Sequence, residues 1–193
     1  MALMNFSSIK HLIHERLIST EQSYQYSLLV KVGVAADVWR TWYIELPDRM
    51  VAVTYPILQQ WTQQEDISIP DLEAAAAEND GKEYTIRSMS DVLGFLHDPE
   101  LPEMYVVSKE SGPFGAIAVL NSAVQHKLHD IFPRGYYVLP SSVHEILAVA
   151  TDMADADQLA YMVRSINRDQ VSIEDRLSDH VFTVDHGCLA VAV

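Results

Sequence analysis

The sequence predicts an α+β fold in which helices pack on a mixed, mainly antiparallel sheet. Short runs of β-branched and aromatic residues are separated by turn residues at the distances typical of hairpins. Helical segments lie between these runs, but without the regular strand–helix alternation that builds a doubly wound parallel sheet. Of the 193 residues, 49% are hydrophobic, which is enough for the core of one ordinary domain.

The N-terminal region predicts one helix and three strands. Ser7 or Ser8 is a suitable N-cap, and the apolar residues of the helix share one face: Ile9, Leu12, Ile13 and Leu17. Strands follow over 24–32 and 38–46, and the turn residues between them predict a hairpin. Pro47 begins another turn, so a short strand is expected over 50–53.

Three helices are predicted between residues 54 and 96. A capping residue followed by a proline or an acidic residue in the first turn is typical of a helix N-terminus. Three places have this pattern: Thr54 with Pro56, the segment 68–71, and Ser90 with Asp91. An Asn-Asp-Gly sequence ends the second of these helices near residues 79–81.

The second half of the chain alternates short strands with two longer helices. Apolar, β-branched runs predict strands over 104–108, 116–120, 136–139, 146–150, 181–184 and 189–193. One helix begins at Asn121 or Ser122 and runs through Ile131. The other begins at Asp155, and its apolar residues repeat at helical spacing: Leu159, Met162, Val163 and Ile166.

The segment 97–102 predicts a connector, because it holds two prolines and two acidic residues. It would join an N-terminal α/β lobe, residues 1–98, to a C-terminal α+β lobe, residues 103–193. The alternative is one compact domain.

The composition excludes several classes of protein. A single cysteine, Cys188, excludes a disulfide scaffold, and the apolar content excludes intrinsic disorder. Direct binding of nucleic acid is not expected, because 13 basic residues stand against 27 acidic ones and the net charge is −14. No apolar run approaches the roughly 20 residues that span a bilayer, and the N-terminus lacks the pattern of a secretion signal. We therefore expect a soluble, cytoplasmic protein.

The acidic residues are concentrated in the segment 61–110, which holds twelve of them against three basic residues. Net charge governs solubility and association, so a solvated surface is one interpretation. The other is an acidic face that binds a basic partner, including a protein that handles nucleic acid, by imitating phosphates. The residues predicted for this face are Glu65, Asp66, Asp71, Glu73 and Glu78.

The segment 139–145 holds the densest set of chemical groups, namely Ser141, Ser142, His144 and Glu145. A hydroxyl, a base and an orienting acid are the components of a nucleophilic site. The segment lacks the Gly-x-Ser-x-Gly turn that exposes a nucleophilic serine. Ser142 and Glu145 also have the spacing of a capping box, so a one-turn helix with a structural role is the other interpretation.

Two histidine pairs have the i, i+3 spacing that places both imidazoles on one face of a helix. They are His11 with His14 and His126 with His129. Each pair would need further ligands to bind a metal, and ordinary surface histidines are the alternative. Cys188 is expected to act as a small apolar residue at a strand edge. We expect no cofactor.

Several stretches of the sequence carry a resemblance, in a consistent order: 53–61, 77–79, 86–93, 105–107, 115–116, 139–145, 155–157, 163–170 and 177–181. Over roughly residues 50–185 they resemble a family of bacterial proteins, common in clostridia and their relatives, described only as a domain of unknown function, DUF5688. The resemblance implies no established activity. Members tend to occur in mobile elements and accessory gene sets, which implies an accessory, regulatory or anti-defence role.

These observations favour a non-enzymatic binding or regulatory protein with a protein partner. It would use the acidic face or a groove beside the segment 140–145. The alternative is a small hydrolase or metal-dependent enzyme centred on the segment 141–145. An enzyme of this kind needs a serine hydroxyl within hydrogen-bonding distance of the His144 imidazole in a cleft, whereas a binding protein does not. The oligomeric state stays open.

Overall fold

The computed structural model describes residues 5–80, 84–94, 103–110, 112–140 and 142–193. The α-helices in these ranges are α1 Phe6–Ile9, α2 Thr20–Gln25, α3 Tyr55–Glu65, α4 Ile69–Asp80, α5 Met89–Leu93, α6 Ser122–Ile131 and α7 Ala156–Gln170. The strands are β1 Ile13–Ser19, β2 Lys31–Ala35, β3 Val38–Leu46, β4 Arg49–Ala52, β5 Tyr84–Ser88, β6 Met104–Lys109, β7 Tyr136–Leu139, β8 Glu145–Ala150, β9 Phe182–Asp185 and β10 Cys188–Val191. Lys10–Leu12 and Gly115–Leu120 form 3₁₀-helices.

All strand pairings in the described ranges are antiparallel, so the predicted α+β fold is confirmed. The first sheet is built around β3. Strand β1 pairs along one edge of β3, from Val38 to Ile44. Strands β2 and β4 pair with the two halves of β3, and since β1 already occupies one edge, both lie on the other.

Helices α3 and α4 cover one face of this sheet. Trp61 of α3 and Leu72 of α4 are fully buried against Trp42 of β3 and Ile13 of β1. The alanines 74–77 favour the helical conformation of α4, and the two that are buried let it approach the sheet closely. Strand alternation directs the neighbours of Trp42 to the opposite face, which leaves that face for the second half of the chain.

The second sheet has six strands in the order β10-β9-β7-β8-β6-β5, and both of its faces are covered. Val138 and Ala148 pack in the core shared with α6 and the Gly115–Leu120 helix. Leu139 and Val149, the next residue in each strand, pack against α7 instead. This alternation follows from the two-residue period of a strand.

Side-chain caps begin the two long helices of the second half, as predicted. The Asn121 carboxamide oxygen accepts hydrogen bonds from two backbone amides in the first turn of α6. The Asp155 carboxylate accepts one from the Gln158 amide at the start of α7. Leu159 and Val163 then form the buried stripe of α7 that the helical spacing predicts.

Side chains of the two sheets meet in a common core. Leu17 and Val38 of the first sheet belong to the same buried cluster as Val138 and Phe182 of the second. Strand β5 lies within the first predicted lobe, yet it pairs with β6 of the second sheet. The division into lobes of residues 1–98 and 103–193 stays a prediction, and the predicted connector, 97–102, lies outside the described residues.

The predicted first helix is wrong beyond residue 12, because Ile13–Ser19 is a strand. Ile13 and Leu17 are four residues apart, a spacing that fits one helical face and also one face of a strand. Only Phe6–Leu12 is helical, and it holds two short helical turns. Periodicity over so few residues does not distinguish the two structures.

Two further strand predictions are wrong. Residues 116–120 form a 3₁₀-helix whose residues up to Val119 are buried, and an unbroken apolar run fits a buried strand or a buried helix equally well. The predicted strand 24–32 is wrong over most of its length, because residues 24–25 end α2 and β2 begins only at Lys31. A reciprocal capping box between Ser19 and Gln22 stabilises the start of α2. Strand β5 was not predicted.

Candidate binding cleft

A cleft of about 610 Å³ lies where β1 and α2 of the first half face the segments 114, 143–144 and 173–175 of the second half. This volume lies within the range of ordinary ligand sites. Charged, aromatic and aliphatic groups line it together, among them Arg16, Glu21, Tyr26, Phe114, His144 and Ile173. The cleft adjoins the segment 140–145, where the sequence predicted a groove.

Phe114 is held in an unusual conformation at one wall of the cleft. Its φ of 67° lies in the left-handed region, which is uncommon for an aromatic residue. The following Gly115 is packed so tightly that a β-carbon would come within 3 Å of backbone atoms of three residues: Ser108, Lys109 and His144. The close approach of these three segments therefore fixes where the Phe114 ring lies.

His144 is fixed beside Phe114 by hydrogen bonds to both of its ring nitrogens. The Phe114 amide donates to Nδ1 at 3.3 Å, so Nδ1 acts as an acceptor and the proton of the neutral ring lies on Nε2. Nε2 then donates to the Asp175 carboxylate at 3.1 Å. The imidazole also stacks on the Phe114 ring, with ring centroids 5.8 Å apart. Both ring nitrogens therefore have partners within the protein, and the ring lines the cleft in a fixed position.

The structure does not bring Ser142 and His144 together as a nucleophile and base. The Ser142 hydroxyl accepts a hydrogen bond from the His144 backbone amide at 2.9 Å. Within the residues described, no hydrogen bond joins that hydroxyl to the imidazole. The predicted capping box is wrong, because Glu145 is the first residue of β8 rather than part of a helix. Ser141 lies outside the described residues.

Exposed apolar side chains surround the opening of the cleft. Tyr26 is 51% exposed and Ile173 is 65% exposed, and both line it. A neighbouring hollow shares Tyr26 and is also lined by Leu28, which is 62% exposed. Tyr55 donates its backbone amide to the Leu28 carbonyl, and its own side chain is also exposed. Clustered exposed apolar groups of this kind typically mark a surface that binds a partner.

Arg16 presents a cation inside the cleft. Its guanidinium carbon lies 4.7 Å from the centre of the Phe114 ring, in a cation–π arrangement. Burial lowers the pKa of Arg16 from its ordinary value, and the nearby Tyr43 and Tyr26 oppose that change only in part. Among the residues that the structure describes, no carboxylate forms an ion pair with this guanidinium.

A buried cluster of charges lies behind the cleft. Tyr43 has its ring edge against Phe114 and stacks on His14. His14 Nδ1 and Lys109 Nζ both lie 2.8 Å from the Asp80 carboxylate. Burial disfavours the charged form of Asp80, but the hydrogen bonds from His14 and Lys109 outweigh it and lower its pKa. Glu15, the neighbour of His14 in β1, has its pKa raised to about 7, chiefly by burial.

Three residues predicted for the acidic face make contacts within the protein. The Glu65 carboxylate accepts hydrogen bonds from the backbone amides of Phe6 and Ser7. Asp71 accepts from the amide and hydroxyl of Ser68 at the start of α4. Glu73 forms an ion pair with Arg40, whereas Asp66 and Glu78 are exposed. The acidic face stays a prediction, and most of its carboxylates also have a structural role.

The predicted metal ligands are not brought into a cluster. His126 and His129 both lie on α6, whereas His11 is in a 3₁₀-helix and His14 in β1, so that pair shares no helical face. Within the described part of the chain, no group of three or more His, Cys, Asp or Glu side chains is placed to hold a metal ion. Cys188 is exposed at the start of β10.

Arg16, Phe114 and Asp175 were missed as site residues. The sequence predicts a helix around Arg16, so it does not reveal that Arg16 lies in a strand and faces the second half of the chain. Phe114 stands between Pro113 and Gly115, two residue types that are typical of turns. A large aromatic residue inside such a turn is a usable signal, because the turn exposes the side chain unless another segment covers it. Asp175 is 31 residues from His144 in the chain, so no local pattern relates the two.

The fold and the cleft define an α+β protein with a lined surface groove. A family model described as "Family of unknown function (DUF5688)" matches residues 1–186, so the chain belongs to that family. The resemblance noted over 50–185 is therefore confirmed, and the match also covers the N-terminal region. Comparisons with curated proteins and with solved structures gave no match. No helix in the described residues is long and apolar enough to cross a membrane.

Proposed function

We propose that this protein is a non-enzymatic binding protein that recognises a partner protein through the cleft. The observation that carries the proposal is an exposed apolar surface, formed by Tyr26 and Ile173 at a cleft of about 610 Å³ and by Leu28 in the adjacent hollow. Large, partly rigid side chains at such a site supply most of the binding energy in protein interfaces. The adjacent hollow lengthens the surface, which favours an extended segment of a partner.

The net charge supports a partner that is itself basic. At −14, the protein attracts basic proteins over a distance set by the ionic strength. Glu21 and Glu174 add carboxylates at the cleft itself. A protein that handles nucleic acid is one class of basic partner, and an accessory or anti-defence role in a cytoplasmic setting stays part of this proposal.

The arrangement of Ser142 and His144 does not favour the hydrolase alternative. The serine hydroxyl is engaged by a backbone amide, and the two nitrogens of the imidazole are engaged by Phe114 and Asp175. A general base needs a free lone pair directed at the proton that it removes. We therefore keep one proposal, binding, for this site.

Affinity capture with matched variants tests the proposal. Wild-type protein, the cleft variant Tyr26→Ser/Ile173→Ser and the control variant Met153→Ser/Tyr161→Ser are immobilised and exposed to lysate of a bacterium that encodes a family member. The control removes similarly exposed side chains, 53% and 72%, outside the lining of the cleft. We expect proteins that wild type and control retain, that the cleft variant loses, and that high salt releases.

Two outcomes would contradict the proposal. Equal recovery by all three forms would show that binding does not use the cleft. No specific recovery by wild type at low salt would remove the reason to propose a protein partner. Circular dichroism of each variant verifies that a loss of binding is not a loss of folding.

A further inference from the structure

Arg16 differs from four other arginines of the protein, whose guanidinium groups form ion pairs. Those side chains are each matched with a carboxylate of the protein: Arg40, Arg49, Arg134 and Arg168. Arg16 is half-buried in the cleft, and its guanidinium lies over the face of the Phe114 ring, with Tyr43 and Tyr26 nearby. A desolvated cation without an anion is unfavourable, and a ligand that brings an anion removes that penalty.

The placement of Arg16 makes it suited to receive a planar anion. Its carbon lies 4.7 Å from the centre of the Phe114 ring, and His144 and Tyr43 hold that ring in place. A stacked guanidinium is restricted in rotation and keeps its hydrogen-bond donors directed outward in a fixed fork. Carboxylates match this fork with two parallel hydrogen bonds.

The charges around Arg16 decide which anion fits. The carboxylates of Glu21, Glu174 and Asp175 line the same cleft. They would repel a phosphate group, which carries nearly two negative charges at neutral pH. A ligand with one carboxylate next to a positive charge fits both Arg16 and the acidic residues, because its carboxylate pairs with Arg16 and its cation pairs with the acidic residues. A polypeptide segment with Asp or Glu beside Lys or Arg has this pattern.

We propose that Arg16 is the subsite of the cleft that binds an acidic side chain of the partner, flanked in the partner sequence by a basic residue. The proposal rests on the proposed binding function and names the chemistry that the cleft selects. Tyr26 and Ile173 provide the apolar contacts, and Arg16 provides the specificity for the carboxylate. Replacing that carboxylate by an amide leaves the guanidinium without its anion, which is how a buried polar group discriminates between ligands.

The test uses heptapeptides selected from a random phage-displayed library on the full-length wild-type protein. We expect the retained peptides to be enriched in Asp or Glu next to Lys or Arg. Fluorescence anisotropy then measures the affinity of a labelled acidic peptide and of its amide version, with Asn or Gln at the acidic position. Arg16→Gln is expected to weaken the acidic peptide by about tenfold or more, and the amide version by less than about twofold.

Arg16→Lys separates charge from geometry. It keeps the positive charge but lacks the fork, so its affinity for the acidic peptide should lie between those of wild type and Arg16→Gln. If the thermal transition shows that Arg16→Gln does not fold, Arg16→Lys and the pair of acidic and amide peptides provide the test. Inorganic phosphate and acetate at equal concentration are added as competitors, and acetate should compete at least as well.

The subsite and the cleft fail in distinguishable ways. Peptides without an acidic residue, equal losses for both peptide versions, or stronger competition by phosphate would overturn the Arg16 proposal alone. Peptides whose affinity is unchanged in Tyr26→Ser/Ile173→Ser bind elsewhere, and that result would overturn the cleft as the binding site.

Discussion

Replacing Glu15 by glutamine is expected to stabilise the protein increasingly as the pH rises from 4.5 to about 7. The Glu15 side chain is only 13% exposed, and its carboxylate lies 3.6 Å from the Arg40 guanidinium. Arg40 is shared with Glu73, and the Asp80 carboxylate accepts a hydrogen bond from the Glu15 amide. Burial raises the pKa of Glu15 to about 7; Arg40 opposes this, Asp80 and Glu73 add to it, and Lys109 opposes it weakly.

The sign of the effect follows from proton binding. Between the ordinary pKa of 4.5 and about 7, the unfolded chain has released the Glu15 proton while the folded protein retains it. The folded state therefore binds more protons in this window, and its stability falls as pH rises. Above about pH 7 the folded protein holds an ionised, buried carboxylate, and the full penalty is present. At 1.36 kcal/mol for each pKa unit, that penalty is about 3 kcal/mol.

Urea unfolding of wild type and Glu15→Gln at intervals from about pH 5 to pH 8 measures this difference. Glutamine keeps the shape and cannot ionise, so the variant should exceed wild type by less than about 1 kcal/mol near pH 5 and by up to about 3 kcal/mol near pH 8. Glu78→Gln, on the exposed side of α4, is the matched control for losing one acidic residue. A stability difference that is constant across this range, or that favours wild type as pH rises, would refute the reasoning.

Two further substitutions test the parts that shape the cleft. Gly115→Ala should lower the free energy of unfolding by about 2 kcal/mol or more, because the added β-carbon would meet backbone atoms rather than movable side chains. Urea unfolding measures this loss of stability. A loss below about 0.5 kcal/mol would contradict the tight packing around Gly115. Ser19→Ala removes the side chain that caps α2 and should destabilise the protein by about 1 kcal/mol. Glu21 lies in α2 and Tyr26 follows it, so Ser19→Ala should also lower the affinity for the peptides selected on the wild-type protein. An unchanged affinity would show that α2 does not contribute to the binding site.

The sequence was most informative where a side chain caps a helix or where a segment is long. Asn121 and Asp155 cap the N-termini of α6 and α7, as the sequence predicts. Helix α4 was equally predictable from its alanines and its acidic first turn. These signals are local, so they act in the isolated segment as they do in the fold. The sequence does not predict the strand Ile13–Ser19, because its pairing with β3 is not local and its apolar spacing fits a helix as well as a strand.

The cleft was less predictable, because its residues are distant in the chain. Arg16, Phe114, His144 and Asp175 come from four segments, and no spacing in the sequence relates them. The sequence predicts only the part of the cleft beside the segment 140–145, where serines, a histidine and a glutamate lie close together in the chain. In the structure the Ser142 hydroxyl accepts a hydrogen bond from a backbone amide, and the His144 imidazole is hydrogen-bonded to the Phe114 amide and the Asp175 carboxylate. This arrangement supports our proposal that the segment contributes to a binding groove.

The acidic surplus shows why net charge alone does not locate a binding surface. Of the five carboxylates predicted to form one face, Glu65, Asp71 and Glu73 are engaged with backbone amides, a hydroxyl or an arginine. A carboxylate that caps a helix is already compensated, so it attracts a partner less than an uncompensated one does. The same reasoning gives Arg16 more weight than its single charge suggests. In a protein with a net charge of −14, Arg16 is a half-buried cation with no carboxylate partner in the described residues, and this is why we propose that it binds an external anion.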